Sequence, residues 1–368
     1  MDYMDEPTLE EDYEYQFVLK GDEDDEPYVS ELRYDNLDGY NLLEIIGEGS
    51  FGTVWKAEIK DKIESVYVEE VWRNINKSFD NQVAIKIMKR KNIHGEENIT
   101  KDQLVNEYNL KYFLNNNCNL HLVCYYDIFI DEKSHDNDNN RDLILIMSLI
   151  TGKELFYFNK ETDKETRDRE TMGRETMETI DRETKRESVS KKIMGREETY
   201  TKKEKKIITE QLLLAVKTLH SHDIFHRDIK PANIIYDKEK QYTTLIDYGF
   251  SCAIPQVEVD KFYIDYCLGI KGTNQYIDPR IVNIKHFSYD DVRKSDLYSL
   301  GIVLFQLWND RHIFTELYNK QYIEDWFRTF NKTTYIKQNL KYNKTLILDL
   351  LEGHKTIEEI QKNIKNNY

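Results

Sequence analysis

Several things are scarce in this chain, and each scarcity excludes something. No stretch approaches the ~20 consecutive apolar residues that a membrane-spanning helix needs, so no span is expected. There is no basic surplus: 52 Lys and Arg face 68 Asp and Glu, for a formal net charge of −16. The acidic balance (sequence pI about 5.2) argues against non-specific binding of nucleic acid, which needs a basic face. The four cysteines, Cys118, Cys124, Cys252 and Cys267, form no CxxC pair. Neither a zinc site nor a disulfide framework is therefore expected, and the default reading is a reducing, intracellular (cytoplasmic) compartment. The opening MDYMDEPTLEED has no apolar stretch behind a basic end, so it does not read as a secretory signal.

Aromatic residues are not scarce. The 368 residues include 26 Tyr, 15 Phe and 4 Trp, and 39% of the chain is hydrophobic, which supports a sizeable core. The length fits one large domain or two lobes. Charge is uneven along it. Residues 1–31 hold 13 acidic side chains and one Lys, a net of −12 that leaves −4 for the rest. That head reads as a solvated acidic tail. Residues 159–204 repeat Arg-Glu-Thr at 169–171, 174–176 and 182–184 with no apolar stripe at a helical period. This segment reads as a low-complexity surface insert. Either piece could dock a partner.

From about Tyr40 the pattern becomes regular. Asn41–Ile46, Thr53–Ile59, Val83–Met88, Cys124–Ile130 and Leu143–Met147 read as short strands, with a helix near Lys101–Leu114. Ile208, Leu212, Ala215, Val216 and Leu219 share one face of a second helix. DLYSLGIVLFQLW, from Asp296, is apolar nearly all round and reads as a helix buried in a helical lobe. Strands followed by helices make an α+β plan in two lobes.

Three motifs carry chemistry. Gly47-Glu48-Gly49-Ser50-Phe51-Gly52-Thr53-Val54 sits between two strands, where glycines would let backbone N–H groups approach a phosphate. It precedes a strand and not a helix, which disfavours a dinucleotide-binding reading. Val83-Ala84-Ile85-Lys86 places a Lys in an apolar strand, where it needs anions around it; Glu107 is the candidate partner. The third is His226-Arg227-Asp228-Ile229-Lys230-Pro231-Ala232-Asn233, with Asp247-Tyr248-Gly249 following a short strand, Thr243–Ile246.

With these motifs in this order, the chain from about Tyr40 to Ile364 resembles the eukaryotic-type protein kinase family, in its serine/threonine branch. The resemblance implies an α+β, two-lobed fold. Residues 32–148 would be a small antiparallel-sheet, nucleotide-binding N-lobe with one main helix. Residues 149–368 would be a larger, mainly helical, catalytic C-lobe interrupted by the insert. It further implies ATP and Mg2+ as cofactors and a protein Ser/Thr hydroxyl as acceptor. By motif position, Asp228 would orient the hydroxyl and accept its proton, and Lys230 would neutralise the transferring phosphoryl group. Asn233 and Asp247 would hold Mg2+, and Lys86, held by Glu107, would contact the α/β-phosphates. Met147 would back the adenine pocket. The backbones of Ser148 and Ile150 would meet the adenine edge. Glu154 would accept from ribose or a basic substrate residue. Val54, Ala84 and Ile235 would sandwich the ring.

Four departures from the family pattern stand out. Tyr248 replaces the usual Phe, and its hydroxyl wants a partner. Lys111, four residues after Glu107, stands where active members place an apolar residue. Asp278-Pro279-Arg280 replaces Ala-Pro-Glu, and Arg280 is expected to pair with an acid such as Glu352 or Glu358. Among possible activation-segment acceptors, Ser251, Tyr263 and Tyr266, no usual Thr site is evident, so activity without prior phosphorylation is expected. Two other readings stay open: a pseudokinase scaffold that binds without catalysing, and a small-molecule kinase of the same fold.

Overall fold

The computed structural model describes residues 34–49, 52–60, 81–89, most of 107–132, 141–155, 200–253, most of 270–281, 288–309 and 332–365. The acidic head, residues 159–199 of the RET-rich insert, Ser50, Phe51, Tyr263 and Tyr266 lie outside the described residues; residues 202–204, expected in the insert, instead begin a helix. A six-stranded sheet comes first. Its strands are β1 (Tyr34–Asp35), β2 (Tyr40–Gly49), β3 (Gly52–Ile59), β4 (Gln82–Met88), β5 (Tyr125–Asp131) and β6 (Leu143–Ser148), in the order β1-β5-β6-β4-β3-β2. All pairings are antiparallel except β1 on β5, where Tyr34 meets Ile130.

The sheet is buried on both faces where β4 and β6 run, which explains their near-continuous apolar sequences. Alternation sorts the residues. Val83, Ile85, Ile144, Ile146 and Phe129 enter one cluster with Tyr40, Ala57 and Ile59. Met88, Leu143, Leu145, Ile128 and Ile130 enter the main core on the other face. Helical residues Leu110, Phe113 and Leu114 pack into that main core as well. Each such side chain contributes about 1.5–3 kcal/mol by leaving water.

The helical part contains α1 (Lys202–His220), α2 (Tyr289–Asn309), α3 (Lys332–Asn339), α4 (Lys344–Glu352) and α5 (Ile357–Lys365). α1 begins at a capping box in which Thr201 and Glu204 satisfy each other's backbone amides. α2 is buried over most of its surface from Asp296 to Trp308, as its all-round apolar sequence requires. Short strands β7 (Lys153–Glu154), β8 (Ile224–Phe225), β9 (Ile234–Asp237), β10 (Tyr242–Leu245) and β11 (Cys252–Ala253) thread between sheet and helices. The main core runs unbroken from β5 and β6 through β9 and β10 to α1, α2 and α4, so the two parts share one apolar interior. Among the described residues no helix is long and apolar enough to cross a membrane.

Cysteine spacing misled on one point. Cys124 and Cys252 are both disulfide-bonded, which corrects the expectation of no disulfide and removes the support that spacing lent to a reducing compartment. Pairing depends on Cα atoms meeting within ~7 Å, and spacing along a chain of this length carries no such information.

Candidate active site

The β-register gathers the first group of candidate residues onto one face of the sheet. Gly47 lies opposite Val54, Val54 opposite Lys86, and Ala84 opposite Met147. The same register puts Glu154 opposite Ile235 where β7 meets β9. Gly47, Val54, Ala84, Lys86 and Met147 therefore point the same way. Gly52 has a structural reason of its own. Its φ is +150°, and a Cβ there would stand 2.0 Å from the Ile87 carbonyl oxygen, so the hairpin pairs with β4 only if this position is glycine. At Gly47 a Cβ would meet only the Val54 side chain at 3.6 Å, an ordinary contact.

Lys86 is buried, with its Nζ 3.0 Å from Asp247 Oδ1 and 3.7 Å from Glu107 Oε1. Both acids hold its pKa above the ordinary value against the opposing effect of burial. Lys86 in turn holds the Asp247 carboxyl below the usual range, so that carboxylate stays ionised. Glu107 differs. It is 2% exposed, neither carboxylate oxygen makes a hydrogen bond of good geometry among the described residues, and burial pushes its pKa up although Lys86 and the Tyr125 hydroxyl favour the charged form.

Residues 226–233 form a second group between β8 and β9. Asp228 Oδ2 accepts from Lys230 Nζ at 2.7 Å and from Asn233 Nδ2 at 3.0 Å. Its Oδ1 accepts from the Thr273 amide at 2.8 Å and the Thr273 hydroxyl at 2.7 Å. Asp296, 1% exposed on α2, accepts from the amides of His226 (2.8 Å) and Arg227 (2.7 Å) and bonds His220 Nε2 at 3.1 Å. That grip offsets the cost of a left-handed Arg227 at φ +66°, roughly 1–2 kcal/mol for a non-glycine residue. His226 Nδ1 accepts from the Asp228 amide at 3.3 Å, so its Nε2–H donates to the Ile246 carbonyl at 3.1 Å.

The two groups meet through Asp247, which follows β10 by two residues at φ +62° and reaches Lys86. Because the Ile246 amide donates to the Asn233 backbone carbonyl at 2.9 Å, the strand-borne ammonium and the Asp-Asn pair are joined through residues 246–247. The protein kinase domain model matches residues 40–360.

The chain belongs to the protein kinase family.

Individual relatives are more distant. CBL-interacting serine/threonine-protein kinase 14 of Arabidopsis thaliana is 33% identical over 158 residues, 41% of this chain and 33% of that protein. Calcium-dependent protein kinase 5 of Plasmodium berghei is 28% identical over 273 residues, 74% of this chain and 34% of the relative. The cAMP-dependent protein kinase catalytic subunit 2 of Drosophila melanogaster is 24% identical over 290 residues, 79% of this chain and 59% of the relative. The chain spans about a third of the length of the first two.

The kinase departures have local answers. Tyr248 is fully buried, and its hydroxyl donates to the Leu245 carbonyl at 3.2 Å. Its ring packs edge-on against Tyr125 and beside His226, so the extra oxygen is absorbed inside the core. Lys111 ion-pairs with buried Asp127 at 3.2 Å, so the odd residue is matched by a second odd residue on β5. Ser251 is fully buried and donates to the His226 carbonyl at 3.3 Å, which takes it off the list of accessible acceptors.

Arg280 corrects an expectation. It pairs with the side chain of neither Glu352 nor Glu358; those carboxylates lie beside Lys337 (3.1 Å) and Lys217 (3.6 Å). Its nearest acid is Asp278, at 2.6 Å. At the hinge, the Ser148 amide donates to the Cys124 carbonyl at 3.0 Å. Ser50 and Phe51, expected in the glycine loop, lie outside the described residues.

The sequence places Thr273 in a Gly-Thr-x-x-Tyr segment that resembles the end of the activation segment but does not announce its bonds: both its amide and its hydroxyl bind Asp228, and the hydroxyl also accepts from Lys230 at 2.9 Å. The available signal was Gly272 just before it. At φ +111° a Cβ would stand 2.2 Å from the Arg227 carbonyl oxygen, so only glycine lets this segment reach the loop.

Proposed function

We propose that this chain is an ATP- and Mg2+-dependent protein serine/threonine kinase. The observation that carries the reading is the grouping of Lys86 with Asp247 and of Asp228 with Lys230 and Asn233, joined through the Ile246 amide on the Asn233 backbone carbonyl. The residues fit the groups they would hold. Asp247 is kept anionic by Lys86, and the Asn233 amide nitrogen is engaged by Asp228, leaving its carbonyl oxygen outward. Two hard oxygen donors suit Mg2+, whose other ligands would be phosphate oxygens and water. When bound, that ion neutralises charge developing between the phosphates.

Lys86 would take the α/β-phosphates, with Glu107 as its partner. Val54, Ala84, Met147 and Ile235 would pack on the adenine, the backbones of Ser148 and Ile150 would read its edge, and Glu154 would reach the ribose. Glu48, on the glycine loop, would close over the phosphates. Asp228 has its acceptor positions filled by Thr273, Asn233 and Lys230. A substrate hydroxyl would replace Lys230 there as the ammonium turns to the γ-phosphoryl group. Asp228 would then take the hydroxyl proton while the other three donors keep the carboxylate in place. The relatives named above as serine/threonine kinases, and a Lys at position 230, support a Ser/Thr acceptor.

Purified chain with Mg-ATP is expected to phosphorylate itself or casein without a prior activating kinase. Asp228→Asn is expected to slow this by roughly 10²–10⁴-fold, the usual worth of a positioned base. Nucleotide uptake without transfer in either form would establish a pseudokinase scaffold instead, and transfer to small molecules alone would establish the third reading.

A further inference from the structure

The end of the activation segment is fastened in a way that its sequence does not announce. One edge of the Arg280 guanidinium meets the Asp278 carboxylate: Nε lies 2.9 and 2.8 Å from its two oxygens and Nη2 2.6 Å from Oδ2. The other edge caps a helix. Nη1 donates to the Glu352 carbonyl and Nη2 to the Leu351 carbonyl, both at 2.8 Å. These carbonyls belong to the last turn of α4, where backbone acceptors lack helical donors and the dipole favours a cation. The guanidinium also lies 5.8 Å from the centre of the Tyr298 ring on α2. Asp278 is 1% exposed and takes the Arg280 amide too, at 2.9 Å.

The described residues between this fastening and the catalytic loop are linked by hydrogen bonds. Ser299 on α2 donates to the Tyr276 carbonyl at 2.8 Å. The amides of Tyr276 and Ile277 both return to the Thr273 carbonyl, at 2.9 and 3.3 Å. Thr273 then grips Asp228. The far anchor is firm, because α4 lies close on α2: a Cβ at Gly301 would come within 3.0 Å of Leu351.

We propose that Asp278 and Arg280 form a clasp that pins residues 271–281 to the C-terminal end of α4 and, through Thr273, positions Asp228. Arg280 is a positioning residue that touches no reactant. The proposal rests on the reading of Asp228 as the catalytic acid–base. Two chemical features make the clasp what it is. A planar fork can hold a carboxylate on one edge and two carbonyls on the other, which an ammonium cannot. The hydrogen-bonded target on α4 is backbone, so the Glu352 side chain adds only a longer-range attraction to it.

The test uses the full chain. Arg280→Ala is expected to speed hydrogen exchange about tenfold or more at the amides of Thr273, Tyr276 and Ile277, with β3 and β4 unchanged. The rate of casein phosphorylation is expected to fall about tenfold, with ATP affinity within about twofold of the parent, since the nucleotide face is untouched. Arg280→Lys is expected to restore only part of the rate, and Glu352→Ala to change none of these readouts. The double variant D278A/R280L removes the stranded buried carboxylate, so it is expected to fold stably yet remain slow. Loss of thermal stability alone, with exchange at Thr273 and turnover unmoved, would overturn the clasp. So would a Glu352→Ala variant that reproduces the Arg280→Ala loss. If the parent protein transfers no phosphoryl group, the kinase reading fails, while the exchange measurement still decides whether Arg280 pins the segment.

Discussion

The two halves of the active site are built differently. In the catalytic loop, Asp228 and Asp296 each receive several short hydrogen bonds from groups fixed in the backbone or in buried side chains. On the sheet, Glu107 sits equally deep, 3.7 Å from the Lys86 ammonium and with no hydrogen bond of good geometry among the described residues. The first arrangement is preorganised: dipoles are already aimed at the place where charge will develop. The second is pliant, because a carboxylate held only by a longer-range attraction loses part of its hydration without full compensation. On the proposed function, the loop half would serve the chemical step and the sheet half would accept and release the nucleotide.

The sharpest way to break this contrast is to remove the centre of the rigid half. Asp296→Ala strands the buried amides of His226 and Arg227 together with His220 Nε2. Loss of roughly 3–5 kcal/mol of stability is expected, on the scale of breaking a buried polar cluster from one side. Urea unfolding measures it. A loss below about 1 kcal/mol would show that the loop does not depend on this carboxylate.

Glu107→Gln probes the pliant half, and its effects are smaller and of opposite sign for folding and binding. At neutral pH the amide avoids burying a charge, so stability is expected to stay level or rise by about 1 kcal/mol. ATP affinity is expected to fall about tenfold as Lys86 loses a partner. The pH dependence separates this from any general damage. The folded-state pKa of Glu107 lies above its unfolded value because of burial. Between the two, the folded protein binds the extra proton, so this group's contribution to stability grows as pH falls and is lost as pH rises through the folded pKa. The advantage of Gln over Glu should therefore shrink as pH is lowered toward the ordinary carboxylate range. Asp247, depressed by Lys86, acts in the opposite sense: its contribution is present above its unfolded pKa and is lost as pH falls through the lower folded pKa. A Gln advantage that is constant with pH would mean that Glu107 is not a strained buried charge.

How much of this was visible in the sequence follows the same division. Val83–Met88 was legible to within one residue of β4 because β-branched residues and a lone Lys in an apolar run say both strand and site. The grouping of Lys86 with Asp247 and of Asp228 with Asn233 was legible because the motifs that name them are set by residue type and short spacing. Thr273 was not, since its bond to Asp228 spans 45 residues and a Thr can serve many ends. Arg280 was half-legible. The changed residue was plain, but its target is a pair of helix-end carbonyls, and backbone atoms leave no mark in residue identity. The partnership of Lys111 with Asp127 was hidden for a related reason: each residue looks like an error until the fold sets them 3.2 Å apart.

That pair sharpens the comparison with the smallest effect of all. Lys111 lies on the helical segment that carries Glu107, and Asp127 on β5, so the ion pair could be what docks that segment on the sheet. The apolar contacts beside it argue otherwise: Leu110, Phe113 and Leu114 are buried in the main core. If those contacts do the docking, exchanging both charged residues for apolar ones of similar size removes two desolvated charges together, at the cost of the bond that the Ile128 amide makes to Asp127 Oδ1 at 2.9 Å. Lys111→Met with Asp127→Leu is then expected to change stability by under about 1 kcal/mol, with ATP affinity unaltered. Lys111→Met alone is expected to cost more, because it leaves Asp127 buried without its counter-ion, and the full double-mutant cycle measures the difference. A double variant that folds well but binds ATP several-fold more weakly would reverse the assignment. The pliancy of the sheet half would then originate in how its helix is held, and not in the bare surroundings of Glu107.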